Sequence, residues 1–136
     1  MKKFFADTSY WIALLNPRDN LHVKVQQVSS NLGDCRIITS EMVMVELLDG
    51  LAKYGEQLRK KAVETVESLK SSPNVKVVPQ TSIQFTEAMK FYVERPDKQW
   101  GLTDCSSFLI MEDESIYEAL TYDEHFSQAG FDALLR

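Results

Sequence analysis

The sequence predicts an α/β fold, a short central parallel sheet with helices on both faces. Two observations carry that prediction. Four apolar runs, at residues 2–6, 35–39, 75–78 and 118–122, are too short for helices and alternate with longer segments whose apolar residues recur at helical spacing. The chain has 136 residues and is 44% hydrophobic, enough for residues 1–136 to form a single domain burying roughly two-thirds of its unfolded surface.

The elements follow in chain order. Lys2 to Ala6 reads as a strand, ended by Asp7-Thr8-Ser9, three side chains that cap or turn. Tyr10 to Leu15 is a brief apolar helix stopped by Asn16-Pro17. Asn20 caps a second helix with Leu21, Val25, Val28 and Leu32 on one stripe, closed by Gly33. Cys35 to Thr39 is the second strand. Ser40 caps a helix through about Lys53 that is apolar nearly all round, with Glu46 in its middle. An amphipathic helix follows Gly55, with the stripe Leu58, Ala62, Val66 and Leu69, broken at Ser71-Ser72-Pro73-Asn74. Val75 to Val78 is the third strand and Thr81 to about Glu94 a further helix. The polar loop Arg95 to Gly101 leads into a helix ending near Asp113, for which Thr103 fits as cap and Asp104 faces the positive end of the helix dipole. Glu118 to Tyr122 is the fourth strand, followed at once by Asp123; a turn at His125-Phe126 and an apolar piece, Phe131 to Leu135, complete the chain.

Formal net charge is −5, unevenly spread: residues 101–136 carry eight acids and one base. A phosphodiester substrate is still compatible with this balance, because bound divalent cations reverse the local field. Cys35 and Cys105 lie in apolar stretches, not at C-x-x-C spacing, and read as reduced core residues of a cytoplasmic protein. No apolar run approaches membrane-spanning length, and Asp7 interrupts the N-terminal stretch too early for a signal peptide.

In parallel α/β sheets, ligands bind beyond the carboxyl ends of the strands. Asp7 and Asp123 sit at such ends. If their strands are neighbours and the helices bearing Glu46 and Asp104 start at the same edge, four carboxylates converge in one cleft. Each acid has a plain reading alone: a turn residue for Asp7, a solvated helix position for Glu46, a helix start for Asp104, a cap for Asp123. Together they form a cluster whose ionised state needs compensating cations. An all-oxygen donor set suits a hard ion, Mg²⁺ or Mn²⁺, and such ions support phosphodiester cleavage.

Phe5-Ala6-Asp7-Thr8-Ser9, Glu46 in its apolar helix, Leu102-Thr103-Asp104-Cys105-Ser106-Ser107-Phe108 and Leu120-Thr121-Tyr122-Asp123-Glu124-His125-Phe126 resemble, in order and spacing, the motifs of PIN-domain ribonucleases. The size is similar to that of the single-domain VapC-like toxins of toxin–antitoxin pairs. The resemblance spans essentially the whole chain and implies a PIN-like three-layer sandwich. It also implies a Mg²⁺- or Mn²⁺-dependent endoribonuclease, with Asp7, Glu46, Asp104 and Asp123 as catalytic and metal-site residues. In that scheme Asp7, Glu46 and Asp104 are the ligands, direct or through water, and Asp123 supports a second ion or a bound water. Thr8, Thr103 and Ser106 are candidates for hydroxyl contacts around them. An RNA substrate, a homodimer and a cognate antitoxin are further implications.

Other residues carry weaker signals. His125 could bond a phosphate but reads more simply as structural or solvated, and His22 as solvated. Arg59-Lys60-Lys61 reads as a wet helix face, although a basic face beside an acidic cleft would hold an RNA backbone. Trp100 could stack on a base, whereas Trp11 packs in the core. A phosphoacceptor domain is disfavoured because no Lys follows Lys98, and an aspartyl phosphatase because Ser9 stands where its second acid belongs. The alternative that remains is a catalytically inactive PIN-like domain that binds RNA or protein.

Overall fold

A computed structural model describes all residues from Met1 to Arg136. Five parallel strands lie in the order β3-β2-β1-β4-β5: β1 (Lys2–Ala6), β2 (Cys35–Ser40), β3 (Val75–Val78), β4 (Glu118–Leu120) and β5 (Asp132–Ala133). β1 is central, and its neighbour β4 is paired in the register Phe5↔Ala119, Ala6↔Leu120. The condition for Asp7 and Asp123 to converge, that the strands preceding them are neighbours, is therefore met. β5 was not foreseen, because two residues carry no period; it is built from the apolar piece read near Phe131.

Seven helices cover the sheet: α1 (Thr8–Leu15), α2 (His22–Ser30), α3 (Glu41–Leu51), α4 (Glu56–Ser71), α5 (Ser82–Glu94), α6 (Leu102–Asp113) and α7 (Glu124–Gln128). A 3₁₀ turn, Ala52–Tyr54, ends α3 where a continuous helix to Lys53 was expected. Because side chains alternate across a strand, β1 serves both layers. Phe5 stacks at 6.3 Å on Phe126 of α7, which meets Phe108 of α6 edge-on at 5.0 Å. On the other face, Trp11 of α1 donates from Nε1 to Thr39 of β2 at 3.3 Å. Trp11 is thus a core residue, as expected.

Helix starts show which side chains set the edges of the site. Ser40 caps α3 by accepting the Val43 N–H, and Thr81 with Gln84 forms a full capping box on α5. For α6 the cap is Gly101, not Thr103: the helix begins one residue before Thr103, and Asp104 reaches back to accept the Gly101 N–H at 3.0 Å. Gly101 has no side chain with which to return the bond, so Asp104 alone closes this helix start. Thr81→Ala should cost about 1 kcal/mol in chemical denaturation, and Thr103→Ala less than about 0.5 kcal/mol; equal losses would restore Thr103 as a cap.

Candidate active site

The parallel pairing of β1 with β4 brings the residues just beyond both strands side by side. The Asp7 N–H donates to the Leu120 carbonyl at 3.2 Å. Thr121, fully buried, donates from Oγ1 to Asp7 Oδ2 at 2.9 Å and accepts the Asp123 N–H at 3.0 Å. Ser9 closes the junction: its hydroxyl lies 3.3 Å from that of Thr121 and accepts the Tyr122 N–H at 3.1 Å. One threonine hydroxyl therefore ties the acid after β1 to the turn that carries the acid after β4.

Asp7 stands at the cap position of α1 without capping it through its side chain. Its carboxylate is buried, and burial pushes its pKa up to about 7 against the Thr121 hydrogen bond, with the charges of Asp104 and Glu46 adding to the rise. Asp104 is also raised, first by burial and then by Asp123, while the Gly101 N–H and His125 oppose the shift. Asp104, Asp123 and His125 place ligand-type atoms within 4.8 Å of one another. Glu46 sits on the outward face of α3, exposed rather than buried in apolar surroundings, and accepts the Thr8 hydroxyl at 2.6 Å. All four predicted acids thus interact at the carboxyl edge of β1 and β4, two through charge on Asp7 and one through Asp104.

His125 belongs to this cluster, which the sequence reading did not foresee. Its Nδ1 lies 3.0 Å from Asp104 Oδ2 and 3.3 Å from Asp123 Oδ1, so the ring donates between the two carboxylates. Asp123 caps α7 by accepting the His125 N–H at 2.9 Å, and that short cap swings the imidazole toward α6. The signal available was the spacing Asp123-x-His125 in a turn beside a second acid, which has no meaning until α6 and α7 are adjacent.

The fit of a divalent cation follows from these contacts. A buried carboxylate that keeps its proton to near neutrality, with two further acids raising its pKa, is relieved when a cation supplies the missing charge. The donors are mostly carboxylate oxygens, the set a hard ion prefers, with one imidazole at the rim.

Residues 4–132 match the PIN domain family. The chain belongs to that family. It is 27% identical over 127 residues to the 23S rRNA-specific endonuclease VapC20 of Mycobacterium tuberculosis, in strains CDC 1551 / Oshkosh and H37Rv, covering 93% of this chain and 94% of that protein. The crystal structure of M. tuberculosis VapC20, described as a sarcin-ricin loop cleaving toxin, matches with a TM-score of 0.84 at 27% identity, covering 94% of this chain and 95% of that one. FitAcB from Neisseria gonorrhoeae shares the fold, with a TM-score of 0.60 at 20% identity over 96% of this chain and 95% of that one. The three-layer PIN sandwich expected from the motifs is the fold observed.

Several peripheral readings need correction within this PIN domain. Trp100 is not available to stack on a base: it is buried, its Nε1 donates to Gln128 at 3.1 Å, and it packs edge-on against Phe91 and Phe108. Ser106 is buried on the side of α6 that faces Gln84 and Glu87 of α5, away from the acids. His22 is not simply solvated, since its Nδ1 lies 2.6 Å from the Ala13 carbonyl. Thr8, by contrast, does contact an acid, Glu46.

Burial of Asp7 has a consequence for stability. Without a cation, the native protein holds this proton up to about pH 7 while the unfolded chain loses it near its ordinary value of 3.8. Between those limits the native state binds more protons, so the contribution of Asp7 to stability falls as pH rises, by roughly 4 kcal/mol in all. Asp7→Asn keeps an acceptor for Thr121 and removes the ionisation. In EDTA it should melt above wild type at pH 8, with the gap closing toward pH 4; a gap independent of pH contradicts the burial account.

Proposed function

We propose that this chain is a metal-dependent endoribonuclease acting as the toxin of a toxin–antitoxin pair. The observation that carries the reading is the buried, proton-holding carboxylate of Asp7 with Glu46, Asp104 and Asp123 around it, at the carboxyl edge of a PIN sheet. The relation to the endonuclease VapC20 over 93% of the chain supports RNA as the substrate.

Asp7, Glu46 and Asp104 would hold Mg²⁺ or Mn²⁺, with Asp123 supporting a second ion or a bound water. Bound there, such an ion supplies positive charge against the phosphate oxygens that gain charge during phosphodiester hydrolysis. The protein's own groups prepare that site. Thr121 fixes the direction of the Asp7 carboxylate, and Thr8 fixes that of Glu46. His125 donates between Asp104 and Asp123 and holds them together against their mutual repulsion. Asp7 must give up its proton before it can act as a ligand, so metal binding is coupled to pH.

A cognate antitoxin would silence the enzyme by covering the acids. A homodimer would form through α5, whose outer face leaves Ile83, Phe85, Met89, Tyr92 and Val93 exposed, a row that water alone covers poorly. A cytoplasmic location suits the two free thiols, Cys35 and Cys105. No helix is long and apolar enough to cross a membrane.

Cleavage of labelled RNA by the purified protein tests the activity. Mg²⁺ or Mn²⁺ should support it, EDTA should abolish it, and Asp104→Asn should slow it on the order of 100-fold, the scale of losing one preorganised transition-state contact. That variant keeps an oxygen acceptor for the Gly101 N–H, so it should stay folded. Folded wild type that fails to cleave with either ion, or cleavage undiminished in Asp104→Asn, would favour a PIN domain that only binds RNA or protein. The dimer is tested by sedimentation: Val93→Glu should convert a dimer to a monomer, and a monomeric wild type would rule the dimer out.

A further inference from the structure

An acidic site must bring a polyanion to itself, and the chain as a whole is no help, with a formal net charge of −5. Cations near the site that are not already neutralised therefore matter. Of 15 lysines and arginines, six pair with a carboxylate: Lys2, Lys3, Lys60, Lys70, Lys76 and Arg95. Among the rest, Arg18 and Lys61 line one groove, where the turn after α1 faces the 3₁₀ turn and the start of α4; Arg59 lines the pocket adjoining it, and Lys53 immediately precedes Tyr54 of the groove wall.

A groove of about 960 Å³ opens there, lined by Arg18, Tyr54, Lys60 and Lys61. Lys61 donates from Nζ to the Leu15 carbonyl at 3.4 Å, and Arg59 from Nη1 to the Ala52 carbonyl at 3.1 Å. Backbone carbonyls satisfy a donor without cancelling its charge. Lys53 lies 5.3 Å over the Tyr54 ring, again without a carboxylate partner. Glu56 and Glu64 also line the groove, and Glu56 is answered by Lys60 at 3.5 Å. Three cations, Arg18, Lys60 and Lys61, against Glu56 and Glu64 leave the groove positive, and Arg59 in the adjoining pocket adds to that charge.

Its position links it to the acids. α1 starts beside the Asp7 carboxylate and ends at Leu15 on the groove wall, and seven residues of helix span about 10 Å. α3 carries Glu46 and runs into the Ala52–Tyr54 turn at the same groove. Tyr54, about half exposed, adds an aromatic face on which a base can stack. Positive charge beside an aromatic, one short helix away from the acidic site, suits a single-stranded backbone better than a folded protein surface.

We infer that this groove between the α1–α2 turn and the start of α4 is a second RNA-binding surface, holding phosphates of the strand that flanks the cleaved bond. The inference rests on the endoribonuclease reading for its substrate. Its test separates the two, because binding is measured in EDTA, where cleavage plays no part.

The probe is a fluorescein-labelled single-stranded RNA read by anisotropy across a salt series. Wild type is compared with the combined variant Arg18→Ala, Arg59→Ala, Lys61→Ala, and with a control of equal charge, Arg36→Ala, Lys90→Ala, Lys98→Ala. The groove variant should bind on the order of tenfold more weakly near physiological salt, with the slope of log affinity against log salt shallower by about 2, as three lost phosphate contacts require. The control should change affinity less than about twofold, at the level of non-local charge. Arg18→Ala alone, whose guanidinium has no partner in the protein, carries the test if the combined variant is unfolded, and should lower the slope by about 0.7. Unchanged binding in the groove variants, an equal loss in the control, or no measurable RNA binding by wild type would overturn the inference; the first would point instead to an acidic polypeptide as occupant. Metal-dependent cleavage that persists alongside unchanged groove binding sinks the groove alone. Groove-dependent RNA binding in a chain that cleaves nothing sinks the nuclease reading and upholds the groove.

Discussion

The hydrogen bond from Thr121 to Asp7 is the contact on which the rest of the site depends. It exists because β1 and β4 pair in parallel with Ala6 opposite Leu120, which leaves Asp7 and Thr121 as the next residues on each chain. A slip of one residue in either strand would turn that strand's side chain to the other face of the sheet. The same hydroxyl accepts the Asp123 N–H, so one side chain orients the carboxylate after the central strand and the turn carrying the last acid. Sheet register is thereby converted into the geometry of a chemical site.

That arrangement is electrostatically costly, and the cost is informative. Asp7 is buried and Asp104 half-buried, the pKa values of both are raised, and the hydrogen bonds from Thr121, Gly101 and His125 oppose the shifts without cancelling them. Folds keep such strain chiefly where function needs it. The polar groups around the acids are mostly donors: Thr8 to Glu46, Thr121 to Asp7, the Gly101 N–H and His125 to Asp104. Oriented donors reduce that repulsion, and a bound cation would complete the compensation.

Much of this was legible in the sequence. The short strands and intervening helices follow from period and punctuation, and Asp7 and Asp123 announce themselves as acids directly after apolar runs. The adjacency of β1 and β4 entered only as a condition for the acids to converge, and no residue pattern dictates it. What was hidden depended on tertiary neighbours. His125 reads as solvated until α7 is laid beside α6. Trp100 reads as a loop aromatic until Gln128 takes its Nε1 and Phe91 and Phe108 enclose it. Thr103 has the chemistry of a cap, but the chain turns two residues earlier, at Gly101, and Asp104 takes over that duty. Glu46 was placed in an apolar helix, and its exposure depends on which face of α3 the sheet takes.

The account stands or falls on whether Asp7 exchanges its proton for a metal ion. Calorimetric titration of Mn²⁺ into the protein, repeated in buffers of different ionisation enthalpy, counts the protons released on binding. With the Asp7 pKa at about 7, binding at pH 7 should release about half a proton from this group, more toward pH 6 and almost none at pH 9. Asp7→Asn should bind the ion weakly and lack that component. Mn²⁺ binding with no proton release at any pH, or with the same release in Asp7→Asn, would show that the buried carboxylate is not part of a metal site.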